Sequence, residues 1–356
     1  MPEKPSSEKH DSSLPVGKVP EDFLVHLLQL PRAASPDVLI NAGYGEDAAV
    51  RRSRSRLIAV SSDPITFPTA RPGSMAVHVN ANDIAVMGAA PTFFTATLMV
   101  PPGSSRRMIE SIMRDMLEAA DRLDIVLIGG HTEITDAVTL PVLSLTMFGE
   151  LLCDRPPASA NAQPGDRIIQ VNPLGLEGSA ILAGEYQERL AVSLDEAELE
   201  TARAFAEDPG ISVVAPAHFA AVRLPVHAMH DPTEGGLATG LREIAFASGC
   251  GLRIRKDRLI IRSETARICN CLGIDPLGLI SSGCLLFTLP HAHAESALHL
   301  MHASGFNAAD IGEMLADTEC LEIERADGAV EDLPCFQVDE IARLLATRAT
   351  SSPTAV

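Results

Sequence analysis

Apolar and polar positions in the first half of the chain alternate between two spacings. Runs typical of β-strands occur at residues 57–63, 92–100, 125–128 and 139–149. Residues 75–87 and 108–123 instead carry apolar side chains at the three- and four-residue spacing of a helix, and residues 21–30 fit a shorter amphipathic helix. The alternation predicts an α/β domain that closes near residue 150.

A second series of elements follows the turn-rich segment at residues 161–166. Strand patterns occur at residues 167–171, 252–254 and 284–289, and helical patterns at 180–187, 195–206, 215–223 and 237–247. We therefore predict two domains of α/β (α+β) class, at residues 21–155 and 156–346. The polar, Pro- and Ser-containing ends, residues 1–20 and 347–356, are predicted to be disordered tails.

Short acidic segments lie beside the apolar runs of the first half. They are GEDAAV (45–50), SSD (61–63), NANDIA (80–85) and GGHTE (129–133). Mg²⁺ prefers oxygen ligands and commonly reaches a protein through a few carboxylates while it binds a polyphosphate. Asp47, Asp63 and Asp83 are therefore predicted to converge on Mg²⁺ and ATP. The Walker-type phosphate loop is absent from the sequence.

Composition narrows the classes of partner. The chain has 356 residues and a formal net charge of −19, which argues against binding nucleic acid or an anionic membrane. An isolated basic cluster at residues 51–56 is predicted to be a solvated turn between two strands, with a phosphate-contacting loop as the alternative. The cysteine count is seven, with no C-x-x-C pair and no secretory signal, so a reducing, cytoplasmic location is predicted. No apolar run reaches membrane-spanning length.

The segment HDPTEGG (230–236) precedes a predicted helix. Free N–H groups at a helix start bind anions, and Gly235 and Gly236 would allow close approach, although an ordinary capped helix start is the alternative. Asp231 and Glu234 are candidates for accepting a proton from a substrate amide or hydroxyl. Glu177 is a third candidate, as a general base, as a substrate contact or as a solvent-exposed residue.

These motifs, in this order, resemble the superfamily of aminoimidazole-ribonucleotide (AIR) synthetase, which includes thiamine-monophosphate kinase and the hydrogenase maturation protein HypE. The resemblance runs from about residue 43 to residue 336. Residues 229–238 (MHDPTEGGLA) and 272–277 (LGIDPL) look most like HypE, and residues 45–50 look closer to the kinase branch.

The resemblance implies a PurM-like fold. The sheet of the N-terminal domain would pair with a second subunit into a barrel-like homodimer, with the C-terminal α/β domain beside it. ATP would lie between domains or across the dimer interface, with Mg²⁺ bridging its phosphates. The expected enzyme would phosphorylate an oxygen, often of a carbonyl or amide, on a small molecule or carrier.

The resemblance also assigns roles by position. Asp47, Asp63 and Asp83 match metal-binding carboxylates of the superfamily. The residues that match nucleotide-contacting positions or adjoin them are Glu46, Asp47, Asn80, Asn82, Gly129, Gly130 and Thr132. His131 stands where the kinase and HypE patterns have Asp; it could hydrogen-bond a phosphate and take part in catalysis, or it could be a structural loop residue.

Other positions depart from the HypE pattern. Glu133 and Ser282 stand where HypE has Lys and Glu, and the last cysteine is Cys335, whereas HypE has a C-terminal one. The sequence predicts a HypE-like, ATP- and Mg²⁺-dependent activating enzyme. The alternatives are a thiamine-monophosphate-kinase-like enzyme, an ATP-binding assembly partner without catalysis, and a metal-binding protein without nucleotide.

Overall fold

The chain is described by a computed structural model that covers residues 35–41, 43–53, 56–66, 69 and 71–351, together with residues 21, 25 and 26. The side chains of residues 347–351 are outside this description. The predicted tail at residues 1–20, most of the predicted helix at 21–30, and residues 352–356 also lie outside it. In the described part, no helix is both long and apolar enough to cross a membrane.

The first half forms a six-stranded sheet covered by two helices. Its strands are β1 (Val38–Ile40), β2 (Ala49–Ser53), β3 (Arg56–Ile65), β4 (Ala89–Val100), β5 (Val126–Ile134) and β6 (Val142–Leu151), and its helices are α1 (Pro72–Val86) and α2 (Arg106–Arg122). The spatial order is β1-β2-β3-β6-β4-β5. All strand pairs are antiparallel except β4 with β5, which are parallel. Strand β5 is last in this order and therefore forms one edge of the sheet.

Helix α1 is buried along almost its whole length, because it packs on the sheet with one side and on α2 with the other. Gly73 allows this approach, since a Cβ there would lie 2.4 Å from the Ile112 carbonyl oxygen. Helix α2 begins where the Ser105 side chain accepts a hydrogen bond from the Met108 N–H. The other face of the sheet is only half covered, as the alternating burial along β4 and β6 shows.

The second half forms a seven-stranded sheet. Its strands are β7 (Asp166–Val171), β8 (Ala228–His230), β9 (Gly251–Arg255), β10 (Leu285–Pro290), β11 (Ala308–Leu315), β12 (Leu321–Glu324) and β13 (Val330–Asp332), in the order β13-β12-β9-β11-β7-β10-β8. Its helices are α3 (Leu176–Glu185), α4 (Gln187–Leu190), α5 (Glu196–Ala204), α6 (Val214–Arg223), α7 (Gly236–Ser248), α8 (Ser263–Leu272), α9 (Ala294–Ala303) and α10 (Glu340–Ser351).

The strand and helix alternation agrees with the prediction, and three details differ. Strand β5 does not end at residue 128 but continues through Gly129 and Gly130 to Ile134, because β4 pairs with it throughout. A Cβ at Gly130 would lie 1.9 Å from the Ala96 carbonyl oxygen, so glycine is needed within the strand and not for a loop. Helix α10 continues past the predicted domain end at residue 346. Strands β11 to β13 and helices α8 and α9 were not predicted.

Polar contacts join the two halves. The buried Asn82 side chain of α1 donates to the Ile211 carbonyl and accepts from the Val213 N–H, both at 2.8 Å. Arg71, just before α1, forms an ion pair with Glu207 at 2.8 Å. Buried polar groups must find partners on folding, so these contacts favour one orientation of the two halves.

Candidate functional site

Four aspartates from both halves lie together where the halves meet. Asp47 lies two residues before β2, Asp63 is in β3, Asp83 is in α1 and Asp231 follows β8. Burial raises the pKa of Asp83 well above its usual range, and the charges of Asp63, Asp231 and Asp47 raise it further. Burial likewise raises the pKa of Asp231, followed by the charge of Asp47. The structure thus brings the three predicted metal ligands together and adds Asp231, which was predicted for catalysis.

Asp231 has no hydrogen-bond partner among the described residues for either carboxylate oxygen, although the residue is only 2% exposed. Asp83 is 4% exposed and accepts a short hydrogen bond from the Ser61 hydroxyl. A buried carboxylate without a partner is costly, and a cluster of them is more so. The clustered carboxylates therefore favour the binding of a cation at this site.

The aspartates do not form a closed cage. No group of three His, Cys, Asp or Glu side chains in the described ranges is arranged as a ready-made metal site. The charges of Asp47 and Asp63 nevertheless lie close enough to raise the pKa of Asp83 and of Asp231. Such an open arrangement suits Mg²⁺, which usually keeps several waters and takes only one or two carboxylates together with substrate phosphates. The residues present fit a Mg²⁺ ion shared with a polyphosphate.

His230 lies between two carboxylates beside this cluster. Its Nδ1 is 2.8 Å from Asp47 Oδ2, and its Nε2 is 3.0 Å from Glu243 Oε2. Burial lowers the pKa of His230, but Asp47 and Glu243 outweigh burial and raise the pKa well above its usual value. A charged imidazolium therefore orients Asp47. Sequence reasoning did not identify this residue as functional, and its position at a buried strand end next to Asp231 was the available signal.

Two predicted nucleotide contacts are engaged elsewhere. The Asn80 amide bonds to the backbone of Asp63 and Ala76, so it positions the strand that carries Asp63. Asn82 bonds to the backbone of the second half, as described above. Both side chains are buried, and the structure assigns their amide groups to backbone hydrogen bonds, which leaves them a supporting role.

Glu46 also has a structural contact. Its carboxylate oxygens accept from the N–H groups of Ser159 and Ala160 at 3.3 and 3.1 Å. Burial raises the pKa of Glu46, and the Ala160 N–H opposes that shift. Glu46 thus ties the loop that carries Asp47 to the connection between the halves.

Both glycines before α7 have left-handed backbone conformations, and an acid of the chain lies at the helix start where the sequence predicted close approach of a ligand. Gly235 and Gly236 have φ values of 79° and 66°. The Gly235 N–H donates to Asp339 Oδ2 at 2.8 Å. Burial raises the pKa of Asp339 to about 7, and the charge of Glu234 raises it as well. An anionic ligand at this helix start would therefore compete with Asp339.

Glu177 lies in the first turn of α3, and at 2% exposure it is buried and not solvent-exposed. Burial raises its pKa to about 7, and Asp339 and Glu234 add to the shift, while the nearby Ser282 hydroxyl opposes it. Its Oε2 has no partner of normal hydrogen-bond geometry in the described part of the chain. A carboxyl group with this environment can exchange a proton near neutral pH.

The predicted GGHTE contacts lie elsewhere in the sheet. Gly129, Gly130, His131 and Thr132 are in β5, with β6 and β4 between β5 and β3. Three strand spacings separate β5 from the Asp63 strand by about 14 Å. The His131 side chain is 66% exposed and lies 3.4 Å from Glu133. Within one chain the structure does not bring this motif to the aspartates, because the strand pairing continues where a loop was expected.

Profiles of two domains match the chain. Residues 45–151 match the N-terminal domain of AIR synthase related proteins, and residues 163–320 match the C-terminal domain. The chain belongs to the AIR synthase related family. A putative hydrogenase expression/formation protein of Methanocaldococcus jannaschii is 31% identical over 311 residues, covering 83% of this chain and 88% of that protein.

Three further proteins show which members of the family the chain resembles in sequence and fold. The carbamoyl dehydratase HypE of Bradyrhizobium diazoefficiens is 31% identical, with 77% of this chain and 79% of that protein covered. A crystal structure of the hydrogenase maturation protein HypE in complex with ATP has 26% identity and a TM-score of 0.69, covering 86% of this chain and 92% of that one. A thiamine-monophosphate kinase at 18% identity and a TM-score of 0.62 shares the fold.

These comparisons confirm the predicted superfamily and the PurM-like two-domain fold. They also confirm the prediction of an enzyme of this superfamily, and HypE is a better match than the kinase alternative.

Proposed function

We propose that the protein uses ATP and Mg²⁺ to activate a carboxamide or carbamoyl group by phosphorylating its oxygen, as a step of dehydration. The observation that carries the proposal is the cluster of the half-buried Asp47 and Asp63 with the buried Asp83 and Asp231, beside which His230 contacts Asp47. Relatives named carbamoyl dehydratase and a HypE structure bound to ATP support it.

The chain's own residues would divide the work. Asp47, Asp63 and Asp83 would hold Mg²⁺, which supplies charge neutralisation for the ATP phosphates. His230 would orient Asp47 through its Nδ1 contact. Asp231, with two unsatisfied oxygens, would take either a metal position or the substrate proton, and Glu177 would exchange a proton near neutral pH.

Glu234 is the remaining predicted catalytic acid, and its closeness to Asp339 and Glu177 supports a role at the substrate end of the site. The helix start at Gly235 and Gly236 would receive a phosphate or the substrate only after Asp339 releases the Gly235 N–H.

The test compares Asp83→Asn and Asp231→Asn with the surface control Asp327→Asn. Asp327 lies on the exposed surface, where it pairs with Arg325 at 3.8 Å and accepts a hydrogen bond from the Ala329 N–H at 3.1 Å. ATP turnover with Mg²⁺ should fall at least roughly a hundredfold in the first two variants and stay unchanged in the control. The rise in the protein's thermal stability on addition of ATP and Mg²⁺ together should also become smaller in these two variants. Unchanged turnover in both site variants would remove the aspartates from the reaction.

Products distinguish the remaining alternatives. Release of ADP and phosphate with loss of water from the carboxamide supports dehydration, whereas a stable phosphorylated product supports a kinase. ATP binding without turnover, across carboxamide and hydroxyl substrates, would identify an assembly partner.

We further propose a homodimer that forms through β5 and the half-covered face of the first sheet. Val126, Ile128 and Ile134 are 58%, 59% and 61% exposed on this edge strand. Exposed apolar edge strands are normally covered by a partner. A second subunit there would also bring His131 and Thr132 toward a neighbouring site, which one chain does not do by itself.

Ile128→Lys should convert the dimer to a monomer in light scattering, while Val192→Lys, at a position that is 82% exposed, should leave the mass unchanged. A wild-type monomer at micromolar concentration would contradict this proposal.

Seven free cysteines also favour a reducing compartment such as the cytoplasm.

A further inference from the structure

An open cavity of about 740 Å³ lies along helix α2, beside the start of α1. This volume falls within the range of small-molecule sites. The wall of the cavity contains four arginines, which are Arg71, Arg107, Arg114 and Arg122. The whole chain carries a formal net charge of −19, so a cavity lined by four arginines runs against its overall composition.

Most of this positive charge is not compensated by the chain. Arg71 forms ion pairs with Asp115 at 2.5 Å and with Glu118 at 3.5 Å, and these are the two acids in the cavity wall. The other three arginines have no ion pair or hydrogen bond to any residue that the structure describes. The wall is therefore left with three positive charges that an anionic ligand can neutralise.

The spacing of the three arginines favours a ligand with more than one anionic group. Arg107 and Arg114 are two turns apart on one side of α2. A rise of 1.5 Å per residue separates them by about 10 Å along the helix axis, and Arg122 lies about 12 Å beyond Arg114. A molecule with several separated anionic groups matches this spacing better than a single small ion does.

The start of α2 adds to the positive character of one end of the cavity. Its first turn contains Arg106 and Arg107 and no acid. Positive side chains are unfavourable there, because the helix dipole already places partial positive charge at the N-terminus. An anion beside Arg107 would remove this conflict, and the hydroxyl groups of Ser105 and Ser111 line the same cavity as further donors.

The pKa of His78 shows that the charges of two of these arginines reach one side chain of α1. Burial is the largest cause that lowers this pKa to about 4, and the charges of Arg122 and then of Arg71 lower it further. The charge of Asp115 raises the pKa but does not outweigh them. The positive potential of the wall therefore persists even though Asp115 lies beside Arg71.

We propose that this cavity binds a small molecule that carries two or more phosphate groups. One group would lie at the start of α2 beside Arg107, and another further along the helix beside Arg114 and Arg122. The planar guanidinium matches phosphate oxygens with two parallel hydrogen bonds, and each phosphate carries more charge than a carboxylate. Arg71 of the same wall also pairs with Glu207 of the second half, so the ligand would lie beside a contact between the halves.

The proposal does not depend on the proposed reaction, because binding in this cavity needs neither Mg²⁺ nor the aspartate cluster. Inorganic tripolyphosphate, orthophosphate and citrate are therefore titrated into the full chain by isothermal titration calorimetry in EDTA. Without a divalent cation, the four aspartates repel a polyphosphate, so binding there does not contribute.

Tripolyphosphate has thirteen non-hydrogen atoms, which support a Kd of roughly 10 μM to 1 mM. Orthophosphate should bind at least about tenfold more weakly, because it fills only one of the separated positions. Citrate should also bind more weakly than tripolyphosphate. No tripolyphosphate binding in this range, or equal or tighter binding of either other anion, would overturn the assignment.

Arg107→Gln and Arg114→Gln test the location, and Arg223→Gln is the matched control. Arg223 is an exposed arginine at the end of α6 in the second half, and it likewise has no ion pair or hydrogen bond to a described residue. Each cavity variant should weaken tripolyphosphate binding about tenfold, the value of a hydrogen bond between charged groups, and the control should change it by less than about twofold.

All three variants lower the net charge by the same amount, so a long-range charge effect would weaken binding equally in all of them. Thermal unfolding without ligand checks the fold, and Arg107→Gln should keep or raise the Tm because it removes a positive charge from the helix start. Equal weakening in Arg223→Gln, or unchanged binding in both cavity variants, would place the ligand elsewhere and overturn the proposal.

Discussion

Asn82 gives the sharpest test of how the two halves are joined. Its side chain is fully buried and spans from α1 to residues 211 and 213 of the second half. Replacing Asn82 with Ala leaves the Ile211 carbonyl and the Val213 N–H without a partner in an interior where water cannot easily replace the amide. The substitution changes no charge and removes only three side-chain atoms.

The expected loss follows from the two orphaned groups. Each buried backbone donor or acceptor without a partner costs about 1–3 kcal/mol, so the free energy of unfolding should fall by about 2–6 kcal/mol. Unfolding entropy scales with chain length, so each kcal/mol is worth about 1.3 °C in Tm for a chain of this size. Asn82→Ala should therefore lower the Tm by about 3–8 °C.

Far-UV circular dichroism is the appropriate measurement, because the chain contains no Trp. Thr201→Ala is the matched control, since its hydroxyl bonds to the Ala197 carbonyl at an exposed position, and we expect a change within about 0.5 kcal/mol. A broadened or split transition in Asn82→Ala would show that the halves have become less tightly coupled. A Tm within 1 °C of wild type, roughly the effect of a surface change, would refute the reasoning.

Three further predictions concern buried charges. His230→Leu should lower the free energy of unfolding by about 3–5 kcal/mol, measured by urea denaturation, because Asp47 and Glu243 lose their shared cation; an unchanged midpoint would contradict a charged His230. Asp231→Asn should raise the Tm of the metal-free protein while it abolishes turnover, because it removes one of four mutually repelling acids; a lower Tm would show that Asp231 is satisfied by a contact. Glu177→Gln should gain stability over wild type as pH rises from 4.5 to 7, because the unfolded carboxyl loses its proton near 4.5 and the folded one near 7. Above pH 7 this gain in the free energy of unfolding of Glu177→Gln over wild type reaches its full value of about 3 kcal/mol. A Tm difference between the two proteins that does not change with pH would contradict the prediction.

The sequence could predict which acids form the cluster because Asp63 and Asp83 lie within a regular strand and a regular helix. Asp63 lies in a strand with a clear apolar run. Asp83 follows Asn80 by three residues, so the side chains of Asn80 and Asp83 lie on the same face of the helix. The sequence could not show that Asn80 and Asn82 would satisfy backbone groups. An amide beside an acid has the same pattern whether it contacts a ligand or a distant carbonyl.

Long-range partners were the part that sequence reasoning could not supply. Asp339 reaches the start of α7 from 104 positions further along the chain, and His230 reaches Asp47 across 183. Neither pair has a local signature, because the first depends on tertiary packing within the second half and the second on how the halves pack. The glycine pair at residues 129–130 was misjudged for a related reason. Glycine signals a close approach of backbone as well as a turn, and only the neighbouring strand decides which.

The shared polar contacts also limit how such a protein can evolve. Asp231 and His230 come from one half and Asp47, Asp63 and Asp83 from the other, while Asn82 and Glu46 hold the halves in place. Neither half carries a working set of groups alone. Gene fragments encoding single halves would therefore be poor material for recombination.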